Sequence, residues 1–258
     1  MSGTTRVDAL VTGAGSATGI GFAIAERLAS AGMRVAITST TARVHERAAE
    51  LRERGHAVDA AVADLTDLSA ARALAGEIGP VSVLVNNAGM GAVGEPAVSK
   101  AFVDFAEDEW DRMIAVTLKT AFSATRAFLP AMIATRYGRV VNVASVTGPY
   151  VAILGSSAYG AAKAGMVGLT RALALEAGPH GVTVNAVAPG WIATASSSAA
   201  ELAAGTQTPV GRPGTPAEVA HAVAFLASAG ASYVNGETLV VDGGNILQEI
   251  KGRSPDRG

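Results

Sequence analysis

The stretch VTGAGSATGIG, residues 11–21, lies between a short apolar run and a helical pattern. Glycines at such a strand-to-helix junction let the backbone turn sharply and approach a pyrophosphate, whose charge is favoured by the helix N-terminus. The stretch therefore predicts a strand, a loop and a helix that together bind a dinucleotide. Ordinary turn chemistry is the alternative, because glycine is also a common turn residue.

Apolar, β-branched runs alternate with longer helical patterns along the rest of the chain. This order predicts an α/β fold with a Rossmann-like, doubly wound sheet of about seven parallel strands and helices on both faces. The strands are predicted at residues 8–11, 34–38, 57–63, 81–85, 139–143, 183–187 and 238–241. The helices are predicted at residues 19–31, 44–54, 68–78, 108–133, 157–177 and 216–227. Asp108 is the predicted N-cap of the fourth helix and Thr215 that of the last, with Pro216 in the favoured first position.

Length and composition indicate one folded domain. The 258 residues fit a single dinucleotide-binding and catalytic domain, residues 1–258, with a tail at 246–258 that we expect to fray. Hydrophobic residues make up 49% and charged residues 16%, which argues against disorder. A net charge of −2 without a basic run argues against nucleic acid as a partner. The absence of cysteine and the scatter of the four histidines predict no metal site.

Two features favour a cytoplasmic protein without a membrane segment. The first strand and its glycine loop begin within the first dozen residues, so we expect no secretory signal. Residues 140–162 carry no charge, but Asn142, Gly148, Pro149 and Gly155 interrupt them. A membrane helix needs about 20 mostly apolar residues, so a buried strand followed by a loop fits this stretch better.

Polar residues and glycines after other predicted strands extend the dinucleotide site. Asp64, followed by Leu65, is a predicted acceptor for an adenine amine after the third strand. The NNAG sequence at 86–89 follows the fourth strand at the carboxyl edge of the sheet, where such folds bind ligands. Asn and Gly are also common in simple turns, so each motif alone has that alternative.

The end of the second strand indicates which dinucleotide binds. Enzymes that use NAD usually carry Asp or Glu there, to hydrogen-bond the ribose 2′-hydroxyl. Here Ser39, Thr40 and Arg43 provide hydroxyls and a cation in place of an acid. A carboxylate would repel a 2′-phosphate whereas these groups would hold it, so NADP(H) is favoured over NAD(H). The alternative is that Arg43 only begins a solvated helix face.

Tyr159 and Lys163 lie one turn apart on the same face of a predicted helix. A nearby ammonium favours the phenolate and lowers the pKa of a tyrosine, which is ordinarily about 10. Ser145 stands upstream, at the end of an apolar run. A hydroxyl, a phenol and a cation together suit the transfer of a proton to or from a carbonyl oxygen. A half-buried tyrosine beside a solvated lysine is the alternative, because this spacing is common on helices.

In this order the motifs closely resemble the short-chain dehydrogenase/reductase family, particularly 3-oxoacyl-thioester reductases, from about residue 7 to residue 245. The closing VVDGG sequence at 240–244 belongs to the same pattern. The resemblance implies a Rossmann-like sheet, hydride transfer with a nicotinamide cofactor, and a homotetramer or dimer. The cofactor-binding residues that it implies are Gly13, Gly15, Ser16, Gly19, Ile20, Gly21, Ser39, Thr40, Arg43, Asp64, Leu65, Asn87, Ala88, Gly89, Tyr159, Lys163, Pro189, Gly190, Ile192 and Thr194.

The resemblance also assigns roles to catalytic residues. Tyr159 would be the general acid in the reducing direction and the general base in the oxidising one. Lys163 would lower the pKa of the phenol and hydrogen-bond the nicotinamide ribose, while Ser145 would hold the substrate oxygen. The family usually has asparagine where Thr117 stands, and that asparagine helps to anchor a water leading from the lysine to solvent. The role of Thr117 is therefore open.

The glycine loop departs from the usual family pattern. Five residues separate Gly13 from Gly19, where the family usually has three. Either the loop carries two extra residues, or Gly15 takes the role of the first glycine. A longer loop is similar to that of enoyl-thioester reductases, but those space tyrosine and lysine more widely than this chain does.

A substrate pocket is predicted around the catalytic residues. Residues 191–210 are predicted to form a mobile substrate loop, because they are rich in Ala, Ser and Gly. The loop after Gly89 is another predicted specificity element. No cationic cluster accompanies these segments, which favours a neutral ketone or an acyl thioester. The predicted lining residues are Ser145, Tyr150, Val151, Ile153 and Trp191.

The sequence is compatible with three functional hypotheses. The first is an NADP(H)-dependent carbonyl reductase or secondary alcohol dehydrogenase. The second is a 3-oxoacyl-ACP or 3-oxoacyl-CoA reductase of fatty-acid or polyketide metabolism, and the third is a non-catalytic nucleotide-sensing protein with this fold. Small residues on the helix that carries Tyr159 permit close helix approach, so a homotetramer is the first expectation for the assembly.

Overall fold

The structure is a computed structural model, and it describes residues 7–89 and 98–249. Seven strands form one sheet in the order β3-β2-β1-β4-β5-β6-β7, and every neighbouring pair is parallel. The strands are β1 Ala9–Thr12, β2 Val35–Ser39, β3 Val58–Val62, β4 Val83–Asn86, β5 Gly138–Val143, β6 Val182–Pro189 and β7 Thr238–Val241. The predicted Rossmann-like sheet is confirmed.

Helices cover both faces of this sheet, as predicted. They are α1 Ile20–Ser30, α2 Arg43–Glu53, α3 Leu68–Ile78, α4 Glu107–Ile114, α5 Thr120–Thr135, α6 Ser157–Ala177, α7 Ala199–Gly205 and α8 Pro216–Ala227. Successive strand residues point to opposite faces, so Val11 packs in a core with Leu28 and Leu226 while Leu10 packs in another with Phe128. The strand order reverses between β1 and β4, which places the loops after these two strands side by side at the carboxyl edge.

The predicted helix 108–133 is interrupted in the structure. Residues Ala115–Lys119 form a π-helical turn between α4 and α5. The prediction that Asp108 is the N-cap is wrong, because Ala106 occupies that position and its N–H donates to the Glu109 carboxylate at 2.9 Å. Asp108 lies instead in the first turn, where the helix dipole also favours an acid. The predicted cap at Thr215 is confirmed, since its hydroxyl accepts from Glu218 N at 3.3 Å.

Two other segments are more regular than predicted. The segment predicted as a mobile loop contains the short helix α7, because Ser198 and Glu201 form a capping box at its start. Fraying is predicted from residue 246, but Ile246 N donates to Asp242 at 2.8 Å within a 3₁₀ turn at Asn245–Leu247. Residues 250–258 of the predicted tail lie outside the described residues. Within the described ranges, no helix is long and apolar enough to cross a membrane.

Candidate active site

The catalytic residues predicted from the sequence meet at the carboxyl end of β5. Ser145 follows this strand and is buried, while Tyr159 and Lys163 come from the first two turns of α6. Thr147 N donates to the Ser145 hydroxyl at 3.0 Å, which fixes the serine side chain. The serine interacts in turn with the Tyr159 side chain and favours its charged form, which lowers the phenol pKa. The structure therefore brings all three side chains into one site.

The pKa of Tyr159 is nevertheless raised overall. Burial is the largest cause and outweighs the opposing effect of Ser145, and the negative charge of Glu201 on α7 raises the pKa further. This direction is opposite to the one that the sequence predicts from Lys163. The physical reason is geometric, since the Lys163 ammonium lies beside the tyrosine ring, 5.8 Å from its centroid, and donates to a backbone carbonyl. The phenol is therefore protonated at neutral pH, as a tyrosine ordinarily is.

Lys163 is a buried cation with a backbone partner. The residue is 5% exposed, and Nζ donates to the Val143 carbonyl at 2.6 Å. Burial lowers the pKa of this ammonium from 10.5 to about 8. An ammonium has three N–H donors, so two remain for other acceptors after this bond.

Thr117 lies next to Lys163, in the π-helical turn between α4 and α5. It is fully buried in the π-helical turn, and π-helical turns are frequent at functional sites. A Cβ atom on Gly89 would lie 3.6 Å from the Thr117 Cα and 3.7 Å from the Lys163 Nζ, so these three residues are neighbours. The Thr117 hydroxyl approaches only the sulfur of Met113, at 3.6 Å, among the residues that the structure describes. Sulfur is a weak acceptor, so this contact holds the hydroxyl weakly.

Thr12 and Asn87 join the loops that follow β1 and β4. The Thr12 hydroxyl accepts from the N–H groups of Asn87 and Ala88 at 3.0 and 2.9 Å. The Asn87 amide donates back to the carbonyls of Thr12 and Gly13, at 3.1 and 3.0 Å. Asn87 is a predicted site residue, whereas the role of Thr12 was not predicted because it depends on a partner 75 residues away.

The glycine loop leaves no room for side chains at its ends. Gly13 has a φ of +69°, and a Cβ there would lie 2.7 Å from the Ala88 Cα. A Cβ on Gly21 would lie 2.5 Å from the Asn87 amide nitrogen. Gly13 thus has the conformation required of the first glycine, which favours the lengthened-loop alternative. Gly15 instead approaches the end of β2, where its Cβ would lie 2.9 Å from the Ser39 hydroxyl.

The predicted 2′-phosphate residues lie beside Gly15. The Ser39 hydroxyl donates to the Thr41 carbonyl at 2.9 Å, and the Arg43 Nε donates to the Thr41 hydroxyl at 3.3 Å. Thr40 is exposed in the same turn, and Arg43 opens α2. The turn therefore presents hydroxyls and a guanidinium without a carboxylate.

The other predicted adenine-side residues differ in their surroundings. Asp64 is exposed, and one of its oxygens accepts from both the N–H and the hydroxyl of Thr66, at 2.9 and 2.7 Å. One carboxylate oxygen of Asp64 is thus already occupied by hydrogen bonds within the β-turn that contains it. Leu65 is buried and packs in the core on the α3 and α5 side of the sheet, so only its backbone is suited to contact a ligand.

The segment after β6 is held by its own serine and threonine side chains. The Ser197 hydroxyl donates to the Ile192 carbonyl at 2.9 Å and accepts from Thr194 N at 3.0 Å. Gly190 is packed so closely that a Cβ there would lie 2.6 Å from the Asp242 Cβ. Glu201 is not among the predicted site residues, although the S-x-x-E spacing from Ser198 is a signal for the helix that carries it.

The predicted substrate-pocket residues differ in how far they are exposed. Tyr150 and Ile153 are 43% and 42% exposed in the turn after Ser145, and Val151 and Trp191 are partly buried. The predicted specificity loop after Gly89 falls on residues 90–97, outside the described residues. Among residues 7–89 and 98–249, no group of three or more His, Asp or Glu has the arrangement of a metal site.

A parallel sheet with a glycine loop at its switch point and a Ser-Tyr-Lys group at its carboxyl edge defines a dinucleotide-dependent oxidoreductase. A family model described as "Enoyl-(Acyl carrier protein) reductase" matches residues 13–245. The chain belongs to the short-chain dehydrogenase/reductase family, and it is an NAD(P)-dependent enzyme of this family.

Relatives within the family have different activities. The chain is 40% identical to the 3-oxoacyl-(acyl-carrier-protein) reductase FabG of Vibrio cholerae over 93% of its own length and 97% of the relative's. It is also 40% identical to the galactitol 2-dehydrogenase of Rhizobium johnstonii, over 92% and 93% of the two lengths. Among solved structures, a candidate NAD(P)-dependent gluconate 5-dehydrogenase of Beutenbergia cavernae, with NADP bound at low occupancy, is 40% identical with a TM-score of 0.86. That match covers 95% of this chain and 98% of the other.

Proposed function

We propose that the protein is an NADP(H)-dependent carbonyl reductase or secondary alcohol dehydrogenase that uses Tyr159 as general acid and base. The observation that carries this proposal is the meeting of Ser145, Tyr159 and Lys163 at the carboxyl edge of the sheet, beside the joined loops of β1 and β4. Membership of an oxidoreductase family supports an enzyme over the nucleotide-sensing alternative.

The residues present fit a nicotinamide dinucleotide. The positions of Gly13 and Gly21 have no room for a Cβ, and the N-terminus of α1 that they flank favours a pyrophosphate. Ile192 and Thr194 lie on the segment that would border the nicotinamide carboxamide, and Lys163 has N–H donors left for the ribose hydroxyls. When bound, the cofactor supplies or accepts the hydride.

Tyr159 and Ser145 would act on the substrate oxygen. The phenol is protonated at neutral pH, as expected for a pKa at or above the ordinary value of about 10, so in the reducing direction Tyr159 has a proton to donate to the carbonyl oxygen. The Ser145 hydroxyl, oriented by Thr147 N, would hydrogen-bond the same oxygen as negative charge develops there. In the oxidising direction the tyrosine would take the proton back from the alcohol.

The choice of NADP(H) over NAD(H) rests on the turn after β2. Ser39, Thr40 and Arg43 offer donors to a 2′-phosphate, and no acid stands at the end of the strand. A solved relative with bound NADP is consistent with this choice. Titration of both cofactors against the purified protein tests it, and tighter binding of NADH than NADPH would refute it.

A 3-oxoacyl-thioester reductase is the second candidate function. It is favoured by the 40% identity to FabG across nearly the full length of both chains. The four-residue spacing of Tyr159 and Lys163 favours ketone chemistry over the enoyl reduction named by the family model, because enoyl-thioester reductases space this pair more widely. The similarity to a galactitol dehydrogenase adds polyols to the substrates worth testing.

A panel of carbonyl compounds and alcohols separates these candidates. Oxidation of NADPH is followed with acetoacetyl-CoA and with hydrophobic ketones, and reduction of NADP+ with galactitol and secondary alcohols. We expect a ketone or a 3-oxoacyl thioester to give the highest kcat/KM. Cofactor binding without turnover of any compound would instead favour the nucleotide-sensing alternative.

The proposal includes a cytoplasmic homotetramer or dimer. Apolar side chains are exposed on α5, α6, α8 and β7, which is the kind of surface that subunits bury. They are Phe122, Leu175, Phe225 and Leu239, exposed by 45%, 80%, 49% and 37%. Light scattering after size-exclusion chromatography gives the mass of the assembly, and cell fractionation gives its location.

A further inference from the structure

The lengthened glycine loop contacts the segment that follows β6. Thr18, the residue before the N-cap of α1, accepts a hydrogen bond through its hydroxyl from Ala195 N at 3.0 Å. Ala17 and Thr18 on the loop and Ala193 on the segment also line one shared hollow at the surface. The last part of the lengthened loop therefore lies against the segment that carries Thr194.

This segment depends on few polar contacts with the rest of the protein. Within the described residues, the Thr18–Ala195 bond is the one hydrogen bond that joins residues 194–206 to another part of the chain. The remaining bonds reach no further than residues 192–208, such as those from Ser197 to Ile192 and Thr194 and those of the capping box that begins α7. Loss of the Thr18 hydroxyl should therefore loosen this segment before it affects the rest of the protein.

The segment also reaches the catalytic group. Glu201 in the first turn of α7 is close enough to Tyr159 for its charge to raise the phenol pKa. Thr194, beside Ala195, is fixed to Ser197 through two hydrogen bonds of 3.0 and 3.1 Å. The position of Ala195 is thereby linked to both the predicted nicotinamide-binding residue and α7, the helix that carries Glu201.

We propose that Thr18 is a positioning residue that holds segment 194–206 against the glycine loop, so that the loop at the pyrophosphate and the segment over the substrate move together. The proposal rests on the proposed function in one respect, namely that the segment covers the substrate carbonyl. A net hydrogen bond changes an equilibrium roughly 2- to 10-fold. Within the described residues no other hydrogen bond ties the segment to a distant part of the chain. Loss of this bond should therefore change the fraction of molecules with the segment closed by a measurable factor.

The experiment compares Thr18→Val, which removes the acceptor at almost constant volume, with Thr18→Ser, which keeps it. Thr135→Val is the matched control, since that exposed threonine donates to the Ala131 carbonyl at the far end of α5. Limited digestion of the whole protein with a glutamate-specific protease reports on the segment through cleavage after Glu201. Cleavage after Glu53, at the end of α2, is the internal reference for general unfolding.

We expect Thr18→Val to be cleaved after Glu201 roughly 2- to 10-fold faster than the wild type, with unchanged cleavage after Glu53. Thr18→Ser and Thr135→Val should match the wild type. In turnover, Thr18→Val should raise the KM of the carbonyl substrate by a similar factor while kcat stays within about twofold, and serine should restore the KM. Equal rates of cleavage after Glu201, equal acceleration at both sites, or failure of serine to restore the wild-type rate would each overturn the proposal. The digestion requires no turnover, so it tests Thr18 even if the proposed function fails in the substrate panel.

Discussion

The Lys163 ammonium donates a 2.6 Å hydrogen bond to the Val143 carbonyl, the last carbonyl of β5. This bond fixes α6 to the strand that leads into Ser145, so the lysine and the serine are held by one short stretch of backbone. Among the described residues no carboxylate forms an ion pair with Lys163. Its described partners are therefore the Val143 carbonyl and the face of the Tyr159 ring, and burial lowers its pKa to about 8.

The buried ammonium should make stability depend on pH. Below pH 8 both the folded and the unfolded chain carry the proton, and the folded chain bears the full cost of burying the charge, roughly 3 kcal/mol for this shift. Between pH 8 and 10.5 the unfolded chain binds more protons at Lys163 than the folded chain, so this cost falls as pH rises. Lys163→Met removes the group, and its free energy of unfolding relative to the wild type should decrease across this range.

Urea denaturation at several pH values between 7.5 and 10 checks this prediction, with about 0.5-unit steps. Lys119→Met is the matched control, because Lys119 is an exposed lysine at the end of the neighbouring π-helical turn. A difference between wild type and Lys163→Met that stays constant with pH would contradict the buried-charge explanation.

Loss of the Tyr159 hydroxyl should stop catalysis and spare cofactor binding. Tyr159→Phe removes the proton donor with little change in shape, and general acid catalysis contributes roughly 10²- to 10⁴-fold. Turnover should fall by that factor, while the dissociation constant for NADPH stays within about twofold. Steady-state rates and a fluorescence titration measure the two effects. Tyr233→Phe, at a fully exposed tyrosine, is the control, and a loss of only a few-fold in Tyr159→Phe would refute the mechanism.

The strands, most helices and the catalytic residues can be predicted from the sequence, because the patterns that indicate them are short and local. Short β-branched runs followed by glycine or asparagine mark the strand ends. Ser145, Tyr159 and Lys163 can likewise be identified from nearby sequence, without knowledge of any long-range contact. The π-helical turn at Ala115–Lys119 was missed because one extra residue in a turn barely changes the apolar periodicity of a long helix. The pKa of Tyr159 was predicted in the wrong direction because spacing reveals a neighbouring charge but not the depth of burial.

Long-range contacts account for the rest of what the sequence did not predict. Thr12 holds the NNAG turn across 75 residues, and Thr18 meets Ala195 across 177. Neither threonine differs in type from an ordinary loop residue, so only the folded arrangement identifies it. The same holds for α7, since the composition of its segment is that of a loop and only its capping box indicates a helix.

A methyl group at Gly13 should lower the stability of the folded protein. Gly13→Ala places a Cβ at φ +69° and 2.7 Å from the Ala88 Cα, a backbone atom that cannot move away cheaply. Gly55→Ala is the matched control, since Gly55 has a φ of +86° but no atom within 4 Å of the added carbon. We expect the control to lose about 1 kcal/mol from strain alone and Gly13→Ala to lose clearly more. Urea denaturation measures both losses, and equal values would show that the clash with Ala88 is relieved.

Replacement of the Thr117 hydroxyl should have little effect on turnover. Thr117→Val keeps the shape of a fully buried side chain and removes a hydroxyl whose contact in the described structure is the Met113 sulfur at 3.6 Å. The substitution removes the donor and leaves only the Met113 sulfur, a weak acceptor, without it, so no strong partner is left unsatisfied. We expect kcat to stay within about threefold of the wild type, with the pH dependence of kcat unchanged. Thr120→Val tests the neighbouring position, where the hydroxyl donates to the Val116 carbonyl at 3.0 Å. A tenfold or larger fall in kcat for Thr117→Val alone, or a shifted pH profile, would mean that this hydroxyl takes over the task that asparagine has elsewhere in the family.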